Sequence, residues 1–102
     1  MEISAVIITY NEEARLEGAL KSLHGVASEI VVVDCHSTDE TVKIARKYTS
    51  KMFERTWTNF ADQKNFANRK ASCPWILSLD ADERISPELR KELLDLKGKE
   101  PD

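Results

Sequence analysis

Trp75-Ile76-Leu77-Ser78-Leu79-Asp80-Ala81-Asp82-Glu83 is the stretch on which the reading of this chain turns. Its mostly apolar start reads as a buried strand. The acids at 80, 82 and 83 then fall at the strand's C-terminal end, where open α/β sheets keep their ligands. Carboxylates this close repel one another, and each costs free energy to desolvate. A divalent cation relieves both costs. The plainer reading of the same acids is a solvated turn ahead of a helix, where negative charge is favoured by the macrodipole.

The rest of the chain supplies the sheet. Ile3 to Thr9 reads as the first strand, with Ala5-Val6-Ile7-Ile8 continuous and apolar. Asn11 is predicted to cap a helix running to about Leu23, with Leu16, Ala19, Leu20 and Leu23 on one face and Gly25 closing it. Glu29 to Val33 is the second strand and ends at Asp34. Ser37-Thr38-Asp39-Glu40 fits a capping box for a second helix to about Tyr48, turning Thr41, Val42, Ala45 and Tyr48 inward. Lys51 to Glu54 is a short third strand whose charged flanks suggest a sheet edge. Asn59 or Thr58 starts a third helix to about Lys70, with Phe60, Gln63, Ala67 and Ala71 on one stripe; Cys73-Pro74 breaks it. After the fourth strand, Ser86-Pro87-Glu88 starts a last helix with Leu89, Leu93, Leu94 and Leu96 as its apolar face, stopped by Gly98 and Pro101.

Strands alternating with helices imply an α/β fold with a parallel sheet and right-handed crossovers. Four such strands fit the order 3-2-1-4, a Rossmann-like half, in which the chain reverses direction between strands 1 and 4 and opens a crevice there. Thr9-Tyr10-Asn11, Asp34 and Asp80-Ala81-Asp82 then share one rim.

Composition narrows the function. The chain has 102 residues, enough for one small domain, read as 1–98 with 99–102 as a tail. A net charge of −3 makes general nucleic-acid binding a poor fit. The apolar runs are too short to span a bilayer, and charge at Glu2, Glu12 and Glu13 argues against a secretory signal. Cys35 and Cys73 form no spaced framework, and reduced thiols in a cytoplasmic protein are the expectation. His36, with no second histidine to pair with it, reads as a surface loop residue. Trp57 and Trp75 read as packing residues.

The first strand-to-helix turn, Thr-Tyr-Asn-Glu-Glu, has no glycine-rich phosphate loop, and its glutamates would repel a phosphate. A cation on Asp80 and Asp82 is the alternative: hard oxygen ligands suit Mg²⁺ or Mn²⁺, which keep open positions for substrate phosphates. Asp34 is placed to accept from a base imide or a ribose hydroxyl, Tyr10 offers a ring face for the base, and Lys64 a point charge for the diphosphate. Asp34 capping its own loop, and Lys64 as a solvated helix lysine, are the bland alternatives.

Val6-Ile7-Ile8-Thr9-Tyr10-Asn11-Glu12, Glu29-Ile30-Val31-Val32-Val33-Asp34 with Ser37-Thr38-Asp39-Glu40-Thr41, and Leu79-Asp80-Ala81-Asp82-Glu83 together resemble family 2 glycosyltransferases of the GT-A fold. Phe60-Ala61-Asp62-Gln63-Lys64-Asn65-Phe66-Ala67 and Asp82-Glu83-Arg84-Ile85-Ser86-Pro87-Glu88-Leu89 are similar to the branch containing lipopolysaccharide core β-1,4-glucosyltransferases. The resemblance implies that Thr9, Tyr10, Asn11 and Glu12 line the nucleotide pocket, that Asp34 contacts the base, and that Lys64 lies near the nucleotide. Asp80-Ala81-Asp82 matches the family's Asp-x-Asp motif, its first acid near the ribose and its last on the metal. The implied reaction is inverting transfer from a nucleotide sugar, a UDP-sugar by resemblance, to a glycan or lipid-linked acceptor, with peripheral membrane association of a full-length enzyme. Cys35-His36 departs from the small residues usual there. The family's catalytic base is expected beyond Asp102, so the catalytic residue stays unassigned.

Two other readings stand beside this one. The chain could be a self-associating structural module, a homo-oligomer paired through an exposed edge on strand 4. A phospho-acceptor receiver domain also gathers aspartates at strand ends, but it needs acids where this chain has Thr9-Tyr10-Asn11.

Overall fold

The computed structural model describes residues 2–97. Four parallel strands, β1 (Ile3–Thr9), β2 (Glu29–Asp34), β3 (Met52–Glu54) and β4 (Trp75–Ser78), lie in the order β3-β2-β1-β4. Helices α1 (Leu16–Ser22), α2 (Thr41–Tyr48), α3 (Phe60–Lys70) and α4 (Pro87–Lys97) alternate with them. Gly98, Pro101 and the predicted tail lie outside the described residues.

The continuous apolar runs became the two central strands, because only strands covered on both faces bury every residue. One face carries Ile3, Ala5, Ile7 and Val32 against Leu16, Ala19, Leu20 and Leu23 of the α1 segment and Ala45 of α2. The other carries Val6, Val31 and Val33 against Ala67, with Phe53 and Phe66 packed beside them. These two rings meet edge to face, 5.8 Å between centroids.

Four local expectations were corrected. First, α1 starts at Leu16, not at Asn11. Asn11 takes φ 50°, a left-handed conformation that no helix start adopts, and its polar groups turn to the neighbouring loop. Second, Ser37 does not cap α2; Glu40 precedes that helix with no side-chain cap, and Asp39 Oδ1 accepts from the Thr41 N–H instead. Third, β4 is a half-exposed edge strand, with Trp75 45% and Ile76 46% exposed, so neither Trp75 nor its strand is buried. β1 alone pairs with it among the described residues. Fourth, Phe60 is exposed on α3, and on α4 Leu89, Leu94 and Leu96 stay largely exposed while Leu93 reaches the core. The Asn59 cap of α3 formed as predicted, accepting from the Asp62 N–H at 2.8 Å.

At the N-terminal rim, Glu29 ties the strand starts together. Its Oε2 accepts from Ser4 Oγ at 2.6 Å, from the Ser72 N–H at 2.9 Å and from Ser72 Oγ at 2.8 Å. Its Oε1 pairs with the Lys51 ammonium. Burial alone would raise the Glu29 pKa, but Lys51, Ser4 and Ser72 more than offset this, leaving it lowered to about 2.

Candidate functional site

The C-terminal rim is set by one residue pair. Thr9 and Asp34 are register partners on adjacent strands, so their side chains leave the same face of the sheet. Both are buried. Asp34 Oδ1 accepts from Thr9 Oγ1 at 2.6 Å and from Ser37 Oγ at 2.5 Å, and Oδ2 accepts from the Ser37 N–H at 2.7 Å. A buried carboxylate survives only with such donors. Asp34 was expected to accept from a base or ribose; its oxygens are turned onto Thr9 and Ser37.

Above that pair, the loops after β1 and β2 exchange hydrogen bonds in both directions. The Asn11 N–H donates to Ser37 Oγ at 2.8 Å, and Asn11 Oδ1 accepts from the Thr38 N–H at 2.9 Å. The Glu12 N–H donates to Thr41 Oγ1 at 2.8 Å and the Glu13 N–H to Asp39 Oδ2 at 3.3 Å. Glu13 Oε2 accepts in return from the Glu40 N–H at 3.1 Å. Burial would raise the Asp39 pKa, but donors from Thr41 and Glu13 hold it below the usual carboxylate range. Asn11, through its N–H and its side-chain oxygen, and Glu12, through its N–H, therefore tie the two loops together.

The acidic corner does not gather into a cluster of its own. Asp82 faces Arg15 of the β1–α1 loop, Nη1 to Oδ2 at 3.8 Å. Glu83 Oε1 accepts from the Asp80 N–H at 2.8 Å. Lys64 of α3 donates to Ser78 Oγ. Burial lowers the Lys64 pKa, opposed by the fields of Asp80 and Glu83, with a net lowering. Ala81 is buried in the core and anchors the corner between its two exposed aspartates. Asp82 thus lies beside the β1–α1 loop, and Asp80 lies in the field of Lys64.

Among the described residues, no group of three or more His, Cys, Asp or Glu side chains is assembled to hold a metal. Asp80 and Asp82 still suit a cation of the Mg²⁺ or Mn²⁺ kind, which keeps several waters and takes one or two carboxylates plus substrate phosphates. Both side chains are exposed, and carboxylate oxygens are the donor type such a cation takes.

One aromatic residue lies in a different setting from the one its sequence suggested. Trp57 was read as packing, yet it is 46% exposed and borders, with Tyr10 and Cys35, a largely apolar hollow of about 480 Å³ on the same rim. Its place in the loop between the edge strand and α3 was the available signal, since loops over that rim carry function.

The family model described as "Glycosyl transferase family 2" matches residues 4–102. An uncharacterized glycosyltransferase of Rickettsia bellii is 46% identical over 92 residues, covering 90% of this chain and 31% of that protein. The lipopolysaccharide core biosynthesis glycosyltransferase LpsC of Rhizobium meliloti is 40% identical over 101 residues, covering 94% of this chain and 37% of that protein. Crystal structures of S. aureus TarS residues 1–349 superpose on 96% of the chain. The UDP complex does so with a TM-score of 0.74 at 28% identity, over 31% of TarS 1–349. The UDP-GlcNAc complex gives 0.73 at 30%, over 30% of it. The chain thus spans about a third of the length of these relatives.

Proposed function

The chain belongs to glycosyl transferase family 2, as the Rossmann-like half of a GT-A fold, and from that premise we propose that its C-terminal rim holds the UDP-sugar donor of a metal-dependent, inverting transfer. The observation that supports this is the strand order β3-β2-β1-β4, which sets Tyr10, Asp34, Asp80 and Asp82 after or at the C-terminal ends of parallel strands, with Asp80 in the field of Lys64. The UDP and UDP-GlcNAc complexes of TarS support the choice of nucleotide. LpsC supports a lipopolysaccharide or other envelope glycan as acceptor.

In this reading an acceptor hydroxyl attacks the anomeric carbon from the face opposite the diphosphate, the bond to the diphosphate oxygen breaks, and configuration inverts. The hydroxyl proton passes to a general base. Asp80 and Asp82 would hold the cation, which supplies charge stabilisation to the leaving diphosphate. Lys64 adds a second positive charge beside it. Tyr10 offers its exposed ring to the base, and the interlocked loops hold Tyr10 in place. No helix among the described residues is long and apolar enough to cross a membrane. Work at the cytoplasmic face of a membrane, as a peripheral association of the longer protein, fits the acceptor class.

Isothermal titration of the chain with UDP and Mn²⁺ tests the proposal. Saturable, Mn²⁺-dependent binding that Asp82→Ala abolishes is expected; binding indifferent to Asp82→Ala would remove the metal from the site.

A second reading rests on the outer edge of β4. Trp75 and Ile76 are exposed on a strand with an open side, which invites pairing with a second copy. We propose self-association of the isolated chain through that edge, read by light scattering across concentrations.

A further inference from the structure

We propose that Trp57 is the second wall of the nucleobase slot, facing Tyr10 across the hollow and flanked by the Cys35 thiol. This rests on the donor-site reading and adds to it the residue that grips the base. Tyr10 is 57% exposed and Trp57 46% exposed, beside each other on one hollow. Large rings left bare together mark a binding surface.

The loop that presents Trp57 is pinned on both sides. Before it, the Arg55 N–H donates to the carbonyl of Asp34 at 2.7 Å. The Arg55 guanidinium donates to Asp62 Oδ2 at 2.6 Å and Gln63 Oε1 at 3.1 Å, and lies over the Phe66 ring at 4.7 Å. Thr56 Oγ1 meets His36 Nε2 at 3.4 Å. After it, Thr58 Oγ1 donates to Asp62 Oδ2 at 2.5 Å, and Asn59 caps α3. Between these anchors the indole makes no hydrogen bond among the described residues. A rigid loop with one bare aromatic at its tip is preorganised to stack, because its ordering cost is met in the fold.

The walls also say which part of the donor fits. Tyr10, Cys35 and Trp57 offer mostly apolar surface, which suits a planar base and not a hexose or a phosphate. The charged groups, Lys64, Asp80 and Asp82, lie elsewhere on the rim and suit the diphosphate. A hollow of about 480 Å³ has room for a nucleoside.

The chain has two tryptophans, and Trp75 stands at the far end of β4, at its first residue. In Trp75→Phe the fluorescence therefore comes from Trp57 alone. UDP with Mn²⁺ is expected to quench it with the midpoint that calorimetry gives, while ribose 5-phosphate, which lacks the base, leaves it unchanged. Trp57→Ala is expected to weaken UDP binding on the order of tenfold or more, and Trp57→Phe to keep most of the affinity. UDP is also expected to slow alkylation of Cys35 by iodoacetamide several-fold. UDP binding by calorimetry with no quenching, and with Trp57→Ala at parental affinity, overturns the assignment of Trp57 and leaves the donor site standing. Absence of UDP binding altogether overturns the donor site, and this assignment with it.

Discussion

Replacing Glu29 by Gln keeps the shape of the side chain and removes its charge. In the folded chain this carboxylate is lowered to about 2, against about 4.3 in an unfolded chain. Taken at face value, that difference is worth about 3 kcal/mol at neutral pH. Lys51, its charged partner, is 41% exposed, so solvent shares the field, and about 1.5–2 kcal/mol is the realistic figure. Because the folded pKa is the depressed one, this stabilisation is complete above about pH 4.5 and is lost as pH falls towards 2. Thermal melts of the parent and Glu29→Gln at pH 7 should differ by roughly 6–15 °C, at about 4–8 °C per kcal/mol for a domain of this size. The gap should narrow as the melts are repeated down to pH 2.5. A gap as large at pH 2.5 as at pH 7 would show that the carboxylate's charge is not its source, since only about a quarter of it should remain there. Absence of a gap at pH 7 would show that the cluster of Ser4, Lys51 and Ser72 does not hold the strand starts. UDP affinity of the folded variant at pH 7 should be unchanged, since Glu29 and Asp34 occupy opposite ends of β2.

Thr9→Val takes one donor from the buried Asp34 carboxylate at nearly constant volume and should cost roughly 1–3 kcal/mol in urea unfolding; parental stability would mean that Ser37 alone satisfies Asp34. Gly18→Ala brings a Cβ into the Arg84 guanidinium, the far end of a flexible side chain that can swing away. The gain in helix propensity should therefore win, raising stability by about 0.5–1 kcal/mol, and a lowered melting temperature would show that Arg84 is held there. Ile76→Lys places a charge on the open strand and should shift the chain to monomer in light scattering; unchanged assembly would move the contact away from β4.

The sheet was legible because its signals are strong and local. Ala5 to Ile8 and Ile30 to Val33 are uninterrupted apolar runs, and nothing but a central parallel strand buries them on both faces. The charged flanks of Met52-Phe53 marked an edge for the same reason. The loops were less legible, because their polar groups chose partners far away in sequence. Asn11 carries a residue type that caps helices, yet its partners are Ser37 and Thr38. Ser37 fits a capping box on spacing, yet Asp34 claims its hydroxyl. Asn11 lost its cap to tertiary hydrogen bonds across two loops, and Ser37 lost its own to an acceptor three residues before it, and spacing alone decides neither. Trp57 failed differently: aromatic residues are most often core, and only the position of its loop, beyond the C-terminal end of β3, says otherwise.

The exchange of hydrogen bonds between the β1–α1 and β2–α2 loops also bears on how this rim can be altered. Asn11 and Glu13 each both give to and take from the other loop, so neither loop has a conformation that is its own. For a protein engineer the two are therefore a single graftable part. Transplanting one from a relative leaves its amides facing strangers, while moving residues 11–13 and 37–41 together carries the mould intact.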